Sequence, residues 1–434
     1  MVRSSDFATV CLRRLPSMGL LILCLLLITG WSCSQSDPVQ PGPEPSDTTK
    51  YPYAAPAGSG YRWYFAQFLQ QIDSLAGDTT AQMALTDSFM TYAAQFGFPL
   101  VEDSSAHFLY RGQPAFPFSV AGDFNGWQPG VDLFTRVGVT DLYYHSEVFP
   151  LDARLDYKFV LGGTQWILDP LNPHTVTGGF GPNSELAMPH YVQPWEINYD
   201  PTIPHGDVQH YTFHSTILNN NRSVWVYTPP GYQQDTLRYP SIYVQDGGEY
   251  MQLGSMVNVL DNLIAASMIE PVIAVFVNPV NRNQEYWLNA DYARMLRDEL
   301  VPFVEGSYRT RPAAAHRAVM GASLGGLISL YTAFLYPEVF GLAAGHSSAL
   351  QVNNEALRQM YAGAPRKNIR IYLDWGTFES LQQANQRFVN VLQNKGYPFR
   401  HNIWHEGHSW GNWRAHIDEI LIYFWEPGVT GIAP

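Results

Sequence analysis

The chemical signal that stands out in the 434-residue chain is the run Gly321-Ala322-Ser323-Leu324-Gly325-Gly326. A strand-like segment, Ala318-Val319-Met320, precedes it, and an apolar, helix-like segment from Leu324 to Leu335 follows. A serine at such a junction sits on a tight turn that presents its hydroxyl, and glycine is favoured around it because backbones pass close by. The helix start also supplies backbone N–H groups and the positive end of the helix dipole. Acyl transfer needs these features together: a nucleophile, and a place beside it where negative charge can develop. The Leu324 N–H is the first candidate donor to that charge. A glycine-rich helix entry with a capping serine is the other reading of the same residues.

A serine hydroxyl attacks poorly near neutral pH without a base. His408, in Glu406-Gly407-His408-Ser409-Trp410, directly follows the last strand-like run and is the expected base. His405 competes, nearer the strand end. A position after a strand and beside a glycine suits a mobile imidazole, which favours His408. The acid that orients the base is expected after the preceding strand, Ile369 to Asp374, in the loop that holds Glu379; Asp374 at the strand end is the alternative. The second oxyanion donor is expected from the loop Gln245-Asp246-Gly247-Gly248, where Gly247 or Gly248 can turn an amide toward a carbonyl oxygen. All three cysteines, Cys11, Cys24 and Cys33, fall in the first 33 positions, so the body holds no cysteine-based zinc site. The chemistry described calls for no metal and no cofactor.

These residues must be carried by a substantial core. Hydrophobic residues make up 46% of the chain and charged residues 15%, so global disorder is excluded. The net charge of −13 argues against a nucleic-acid partner, which requires a basic face. From about 205 to 426, short β-rich runs alternate with helical stretches such as Tyr292 to Val304. This pattern predicts an α/β domain with a mostly parallel sheet covered by helices on both faces. From 106 to 192 the spacing changes to short strands between turns, among them Leu142 to Val148 and Leu155 to Leu161, which predicts a small all-β sandwich. Residues 61–105 read as two packing helices, the second capped by Asp78 or Thr79. Gly178 to Glu185 reads as a loop reaching the α/β domain.

The N-terminus reads as an export signal over residues 1–32. Arg3, Arg13 and Arg14 precede an apolar run from Met18 to Ile28, too short to span a membrane as a helix. Small residues at Gly30 and Ser32 before Cys33 are similar to the cleavage site of bacterial lipoproteins, which implies lipidation of Cys33 and a membrane partner through that anchor. Residues 33–60, rich in Pro and Ser, then form a flexible tether. The chain is expected outside the cytoplasm, lipid-anchored to the cell envelope.

The region from about His210 to Trp425 resembles the esterase D and enterochelin esterase group of α/β-hydrolases, which includes carbohydrate esterase family one. The resemblance rests on Tyr227-Thr228-Pro229-Pro230-Gly231-Tyr232, Gln245-Asp246-Gly247, Leu300-Val301-Pro302-Phe303, the Ser323 run, Gly376-Thr377-Phe378-Glu379 and Gly407-His408-Ser409-Trp410. It implies a serine ester hydrolase and places the family's carboxylate at Glu379. The sandwich resembles the isoamylase N-terminal, glycogen-binding type of immunoglobulin-like domain through Ala121-Gly122-Asp123-Phe124-Asn125-Gly126-Trp127, Tyr157-Lys158-Phe159 and Trp166-Ile167-Leu168-Asp169-Pro170-Leu171-Asn172-Pro173. That resemblance implies sugar contacts at Trp127, Lys158 and Trp166, although both tryptophans can equally pack inside the protein. Three functions are therefore open: an esterase removing feruloyl or acetyl groups from polysaccharide, a siderophore trilactone esterase, and an inactive glycan-binding surface lipoprotein.

Overall fold

The structure, a computed structural model, describes residues 64–428. The expected signal, Cys33 and the tether lie outside the described residues. Among those described, no helix is long and apolar enough to cross a membrane.

Two helices, Phe65–Ser74 and Thr79–Ala93, open the described chain. Asp78 caps the second by accepting the Ala81 N–H at 2.9 Å. Ten strands follow: β1 (Leu100–Glu102), β2 (Ser105–Arg111), β3 (Phe118–Gly122), β4 (Asp132–Leu133), β5 (Thr135–Arg136), β6 (Leu142–Val148), β7 (Arg154–Leu161), β8 (Gln165–Ile167), β9 (Thr175–Gly178) and β10 (Gly181–Ala187). One antiparallel sheet runs β1-β2-β6-β5. In the other, β7 is central and pairs with β3, β8 and β10, while β4 and β9 lie outside. Alternate residues of the two sheets (Phe108 and Tyr143 from one, Phe118, Leu155 and Phe159 from the other) meet in a shared core. The two helices cover the far side of the first sheet with Phe65, Phe68 and Phe89 against Leu109 and Leu142.

A polar knot closes the second sheet. The buried Asp169 carboxyl accepts the Tyr157 hydroxyl at 2.7 Å and the Leu171 N–H at 2.9 Å, and Asn172 donates to the same tyrosine oxygen at 3.0 Å. The Asp169-Pro170-Leu171-Asn172-Pro173 segment is thus a bonded turn that anchors β7, which explains the residue types found there.

The α/β domain contains β11 (Asp207–Ser215), β12 (Asn220–Thr228), β13 (Ser241–Gln245), β14 (Ile273–Val277), β15 (Arg317–Ala322), β16 (Leu342–His346), β17 (Arg370–Phe378) and β18 (Phe399–Gly407), in the order β11-β12-β14-β13-β15-β16-β17-β18. β11, β12 and β14 pair antiparallel, and the remaining pairs are parallel. Successive residues feed opposite cores. Tyr243, Val275 and Val319 pack with the helices of one face, whereas Val244, Phe276 and Met320 pack with those of the other. Burial on both faces is why these strands read as unbroken apolar runs.

Two local departures from the sequence expectation have physical causes. The helix anticipated over Tyr292 to Val304 is a composite: an α-helix at Ala290–Met295, a π-turn at Leu296–Leu300 and a further α-helix at Val301–Ser307. Pro302 has no N–H to give to an α ladder, and the wider turn just before it absorbs the interruption. β17 does not stop at Asp374 but continues to Phe378. Its register with β18 slips by one residue between Gly376 and Phe378, a bulge that redirects the chain just before Glu379.

The two domains meet where the end of β18 reaches the start of β7. β18 joins β7 in parallel at Glu406 and Arg154. Arg154, 1% exposed, reaches Asp156 at 2.6 Å, Glu185 at 2.8 Å and Ser409 Oγ at 3.4 Å. A Cβ at Gly411 would lie 1.8 Å from the guanidinium, so a side chain there would displace Arg154 from its partners.

Two predictions follow from these buried charges. Arg154→Ala leaves Asp156 buried without its ion-pair partner and Glu185 with only the longer 3.5 Å contact to Arg414, and should cost about 3–5 kcal/mol in urea unfolding. Burial pushes the Asp169 carboxyl up to about 6. Its folded pKa exceeds its unfolded value, so its stabilising contribution is complete below about pH 4 and is lost as pH rises through about 6. Asp169→Asn should therefore show a smaller fall in unfolding midpoint between about pH 4 and about pH 7 than the parent chain does.

Candidate active site

Ser323 stands between β15 and the helix Leu324–Leu335 with φ 56° and ψ −117°, a conformation that non-glycine residues rarely adopt. Close packing imposes it. A Cβ at Gly321 would lie 2.5 Å from the Gly325 carbonyl carbon, and one at Gly326 would lie 2.4 Å from Ser348 Oγ. The Ser323 N–H is tied to the His346 carbonyl of β16 at 2.9 Å. The hydroxyl is thereby held at the carboxyl end of the parallel sheet, where α/β sheets open a crevice.

The Ser323 hydroxyl donates to His408 Nε2 at 3.1 Å, and His408 Nδ1–H donates to Glu379 Oε2 at 2.5 Å. The second Glu379 oxygen accepts the Gly376 N–H at 3.2 Å, and only 1% of its side chain is exposed. The carboxylate is thus fixed at both oxygens. The fixed pair selects the imidazole tautomer that leaves Nε2 free to accept the serine proton.

Asp374, the alternative acid, is elsewhere. It is fully buried and accepts His346 Nδ1–H at 2.8 Å. The β17 extension to Phe378 explains the difference: Asp374 lies inside the sheet, level with His346 across the register, and the bulge brings Glu379 to the edge of the crevice. His405, the competing histidine, pairs with Asp152 of the sandwich at 2.7 Å.

The expected oxyanion donors divide. The Leu324 N–H occupies the first position of its helix and has no intrahelical acceptor. Gly247 likewise begins the short helix Gly247–Gln252, and glycine is needed there because a Cβ would lie 2.4 Å from the Phe276 backbone. Gly248 does not fit the expected role, since its N–H is already donated to Asn278 Oδ1 at 2.7 Å. The loop is braced by Arg282, whose guanidinium makes paired bonds of 2.9 and 2.8 Å to the Asp246 carboxylate. In the sequence Arg282 is notable only as one of a group of arginines with Arg294 and Arg297. It is remote from Asp246 along the chain, and no local pattern announces the pair.

A cleft of about 1300 Å3 runs over Ser323 and His408, and the sandwich forms its opposite wall. Trp127, Lys158 and Trp166 all line it, with the two indole centroids 6.3 Å apart. The β9–β10 hairpin places Gly179 and the fully exposed Phe180 there as well. Lys158 makes no ion pair among the described residues, whereas Arg282 is neutralised by Asp246. Asp123 also lines the cleft, and burial, followed by the nearby Asp156, pushes its carboxyl well above the usual carboxylate range. Away from the cleft lining, Asp132, His145 and Glu147 on the sandwich bring potential metal-ligand atoms within 4.8 Å of one another.

The arrangement can carry a proton from a serine hydroxyl to an imidazole held by a carboxylate, next to free helix-end amides. Known proteins agree with that chemistry. Residues 215–424 match the family model described as Putative esterase. The iron(III) enterobactin esterase of Escherichia coli is 29% identical over 282 residues, covering 61% of this chain and 68% of that one. An endo-1,4-beta-xylanase/feruloyl esterase of Xylanibacter ruminicola is 30% identical over 157 residues, 33% of this chain and 22% of that one. The crystal structure of the Shigella flexneri enterobactin esterase in the presence of enterobactin shares the fold, with a TM-score of 0.63, 24% identity, and coverage of 74% of this chain and 92% of that one. Sequence similarity, fold and local chemistry converge: the α/β domain is an enterochelin-esterase-like α/β-hydrolase, and the protein is a carboxylic ester hydrolase.

Proposed function

We propose that the protein is an exported serine esterase, lipid-anchored at Cys33, that removes feruloyl or acetyl groups from polysaccharide. Ser323 attacks the ester carbonyl while His408 takes its proton, and Glu379 holds the imidazolium that forms. The Leu324 and Gly247 amides receive the oxyanion. Collapse of the tetrahedral adduct breaks the bond to the alcohol oxygen, and His408 returns the proton to the leaving alcohol. Water, deprotonated by the same imidazole, then releases the acid from Ser323.

The observation that carries this reading is the shared cleft: Ser323 and the Trp127, Lys158 and Trp166 face line one space. Indole faces stack on the C–H surfaces of sugar rings and on phenolic rings, and an ammonium donates to hydroxyl oxygens. The charge balance supports a weakly charged substrate. Of the cleft-lining Lys and Arg side chains among the described residues, Arg282 is paired with Asp246, which leaves Lys158 as a single cation without an ion pair. A polyanionic metal chelate would be served by a cluster of unpaired cations.

A second reading, hydrolysis of a siderophore trilactone, has its own support. The similarity to the enterobactin esterase covers 61% of the chain, more than the α/β domain alone, and so takes in part of the preceding region. A substrate panel separates the two. Acid release from acetylated xylan or methyl ferulate, with none from a catecholate trilactone, is the expected result. Turnover confined to the trilactone replaces the first reading with the second.

The assignment of groups is tested by paired variants. Ser323→Ala should abolish turnover of a p-nitrophenyl ester. Glu379→Gln should lower kcat by about 10³–10⁴-fold with little change in unfolding midpoint, because it disturbs the imidazole tautomer. Asp374→Asn should act the other way round, lowering stability through the buried His346 pair and leaving kcat per folded molecule within a few-fold. A Glu379→Gln enzyme of normal kcat would remove Glu379 from the mechanism.

A further inference from the structure

The glycine beside the base is not explained by backbone conformation. Gly407 lies outside the left-handed region, so an ordinary residue could adopt its φ. What excludes a side chain is a contact across the domain boundary: a Cβ on Gly407 would lie 2.0 Å from Asp123 Cγ. The Asp123 carboxyl group of the sandwich therefore rests directly on the backbone next to His408.

The carboxyl group is itself fixed. It is 5% exposed, one oxygen accepts the Asp156 N–H at 2.9 Å, and the other accepts the Trp127 indole N–H at 3.0 Å. Trp127 holds a φ of 60°, an unusual conformation for a bulky residue that the surrounding turn must enforce. On the other flank of His408, Ser409 Oγ meets the sandwich residue Arg154 at 3.4 Å, while Asn412 of the α/β domain holds the Gly407 carbonyl at 2.8 Å. The segment 407–409 is thus gripped on either side of the imidazole by residues of the sandwich.

We propose that Asp123 is a positioning residue for His408 and couples it to Trp127, so that seating a substrate ring against that indole and aligning the base are mechanically one event. The proposal rests on the esterase reading above and adds a role for the second domain in it. Asp123 touches neither Ser323 nor His408 side chains in the bonds described, and acts only through Gly407. Hydrogen bonds of 2.5 and 3.1 Å to the imidazole leave little tolerance, and a misplacement of about 1 Å can cost about 10²-fold in rate.

The test uses the full chain, with p-nitrophenyl acetate as a substrate too small to need the sandwich wall. Active sites are counted with a fluorophosphonate, so that kcat refers to reactive enzyme. Asp123→Asn, which presents an amide donor to one of two N–H groups, should lower kcat about 10–100-fold at nearly constant KM. Trp127→Phe keeps a ring but loses the indole N–H and should lower kcat in the same sense by a smaller factor. The double variant should be no slower than Asp123→Asn alone, because the two changes break one linkage. A purely structural role would reduce the number of titrated sites and spare kcat per site, which overturns the proposal, as does multiplication of the two single effects. Should Asp123→Asn fail to fold, a parental kcat in Trp127→Phe overturns the coupling. The Ser323→Ala control keeps the two levels apart. If it stays active, the esterase mechanism fails; if it is inactive while Asp123→Asn turns over normally, only this inference fails.

Discussion

The structure depends on one close approach, in which the backbone at Gly407 runs against the Asp123 carboxyl group with no room for even a methyl group between them. Around that contact, β18 finishes, the central sandwich strand β7 pairs at its first residue with the large sheet, and His408 emerges between Glu379 and Ser323. A base delivered by a free loop would spend much of its time away from the nucleophile. Here the loop is clamped by a second domain, and the entropy of ordering it is met by folding rather than by substrate binding.

The elbow obeys the same economy of space. The strained backbone of Ser323 persists because Gly321 and Gly325 are in contact and Gly326 admits Ser348. Gly325 also leaves room for the Asp246 carboxylate, whose oxygen would lie 3.0 Å from a Cβ there. Asp246 is bound in turn by Arg282. The nucleophile, the loop with the second amide and the arginine that braces it therefore form one packed unit, in which conformational strain is local and its support is distributed.

The buried pair His346–Asp374 shows how similar side chains diverge by position. Both are fully buried, His346 one strand and Asp374 two strands away from the strand that leads into Ser323, and they bond to each other rather than to the cleft. Their register fixes them inside the sheet. Glu379 reaches the crevice because β17 runs four residues beyond Asp374 and the bulge against β18 turns the chain outward. A carboxylate and an imidazole become a candidate relay through where the strand ends, not through residue type.

The sequence by itself determined the parts with local signatures. Glycines flanking Ser323 between a strand and a helix, the chain order that puts His408 after the last apolar run, and the alternation of strands with helices were all legible because each follows from steric rules acting over a few residues. The aromatic residues Trp127 and Trp166 could be picked out but not oriented. Only the tertiary structure set Glu379 rather than Asp374 against His408, committed the Gly248 amide to Asn278, gave Arg282 its partner and brought Trp127 into the same cleft as Ser323. Those outcomes depend on strand register and on the docking of two domains, contacts between residues as far apart as Asp123 and Gly407, and side-chain periodicity carries no information about which distant surfaces will meet.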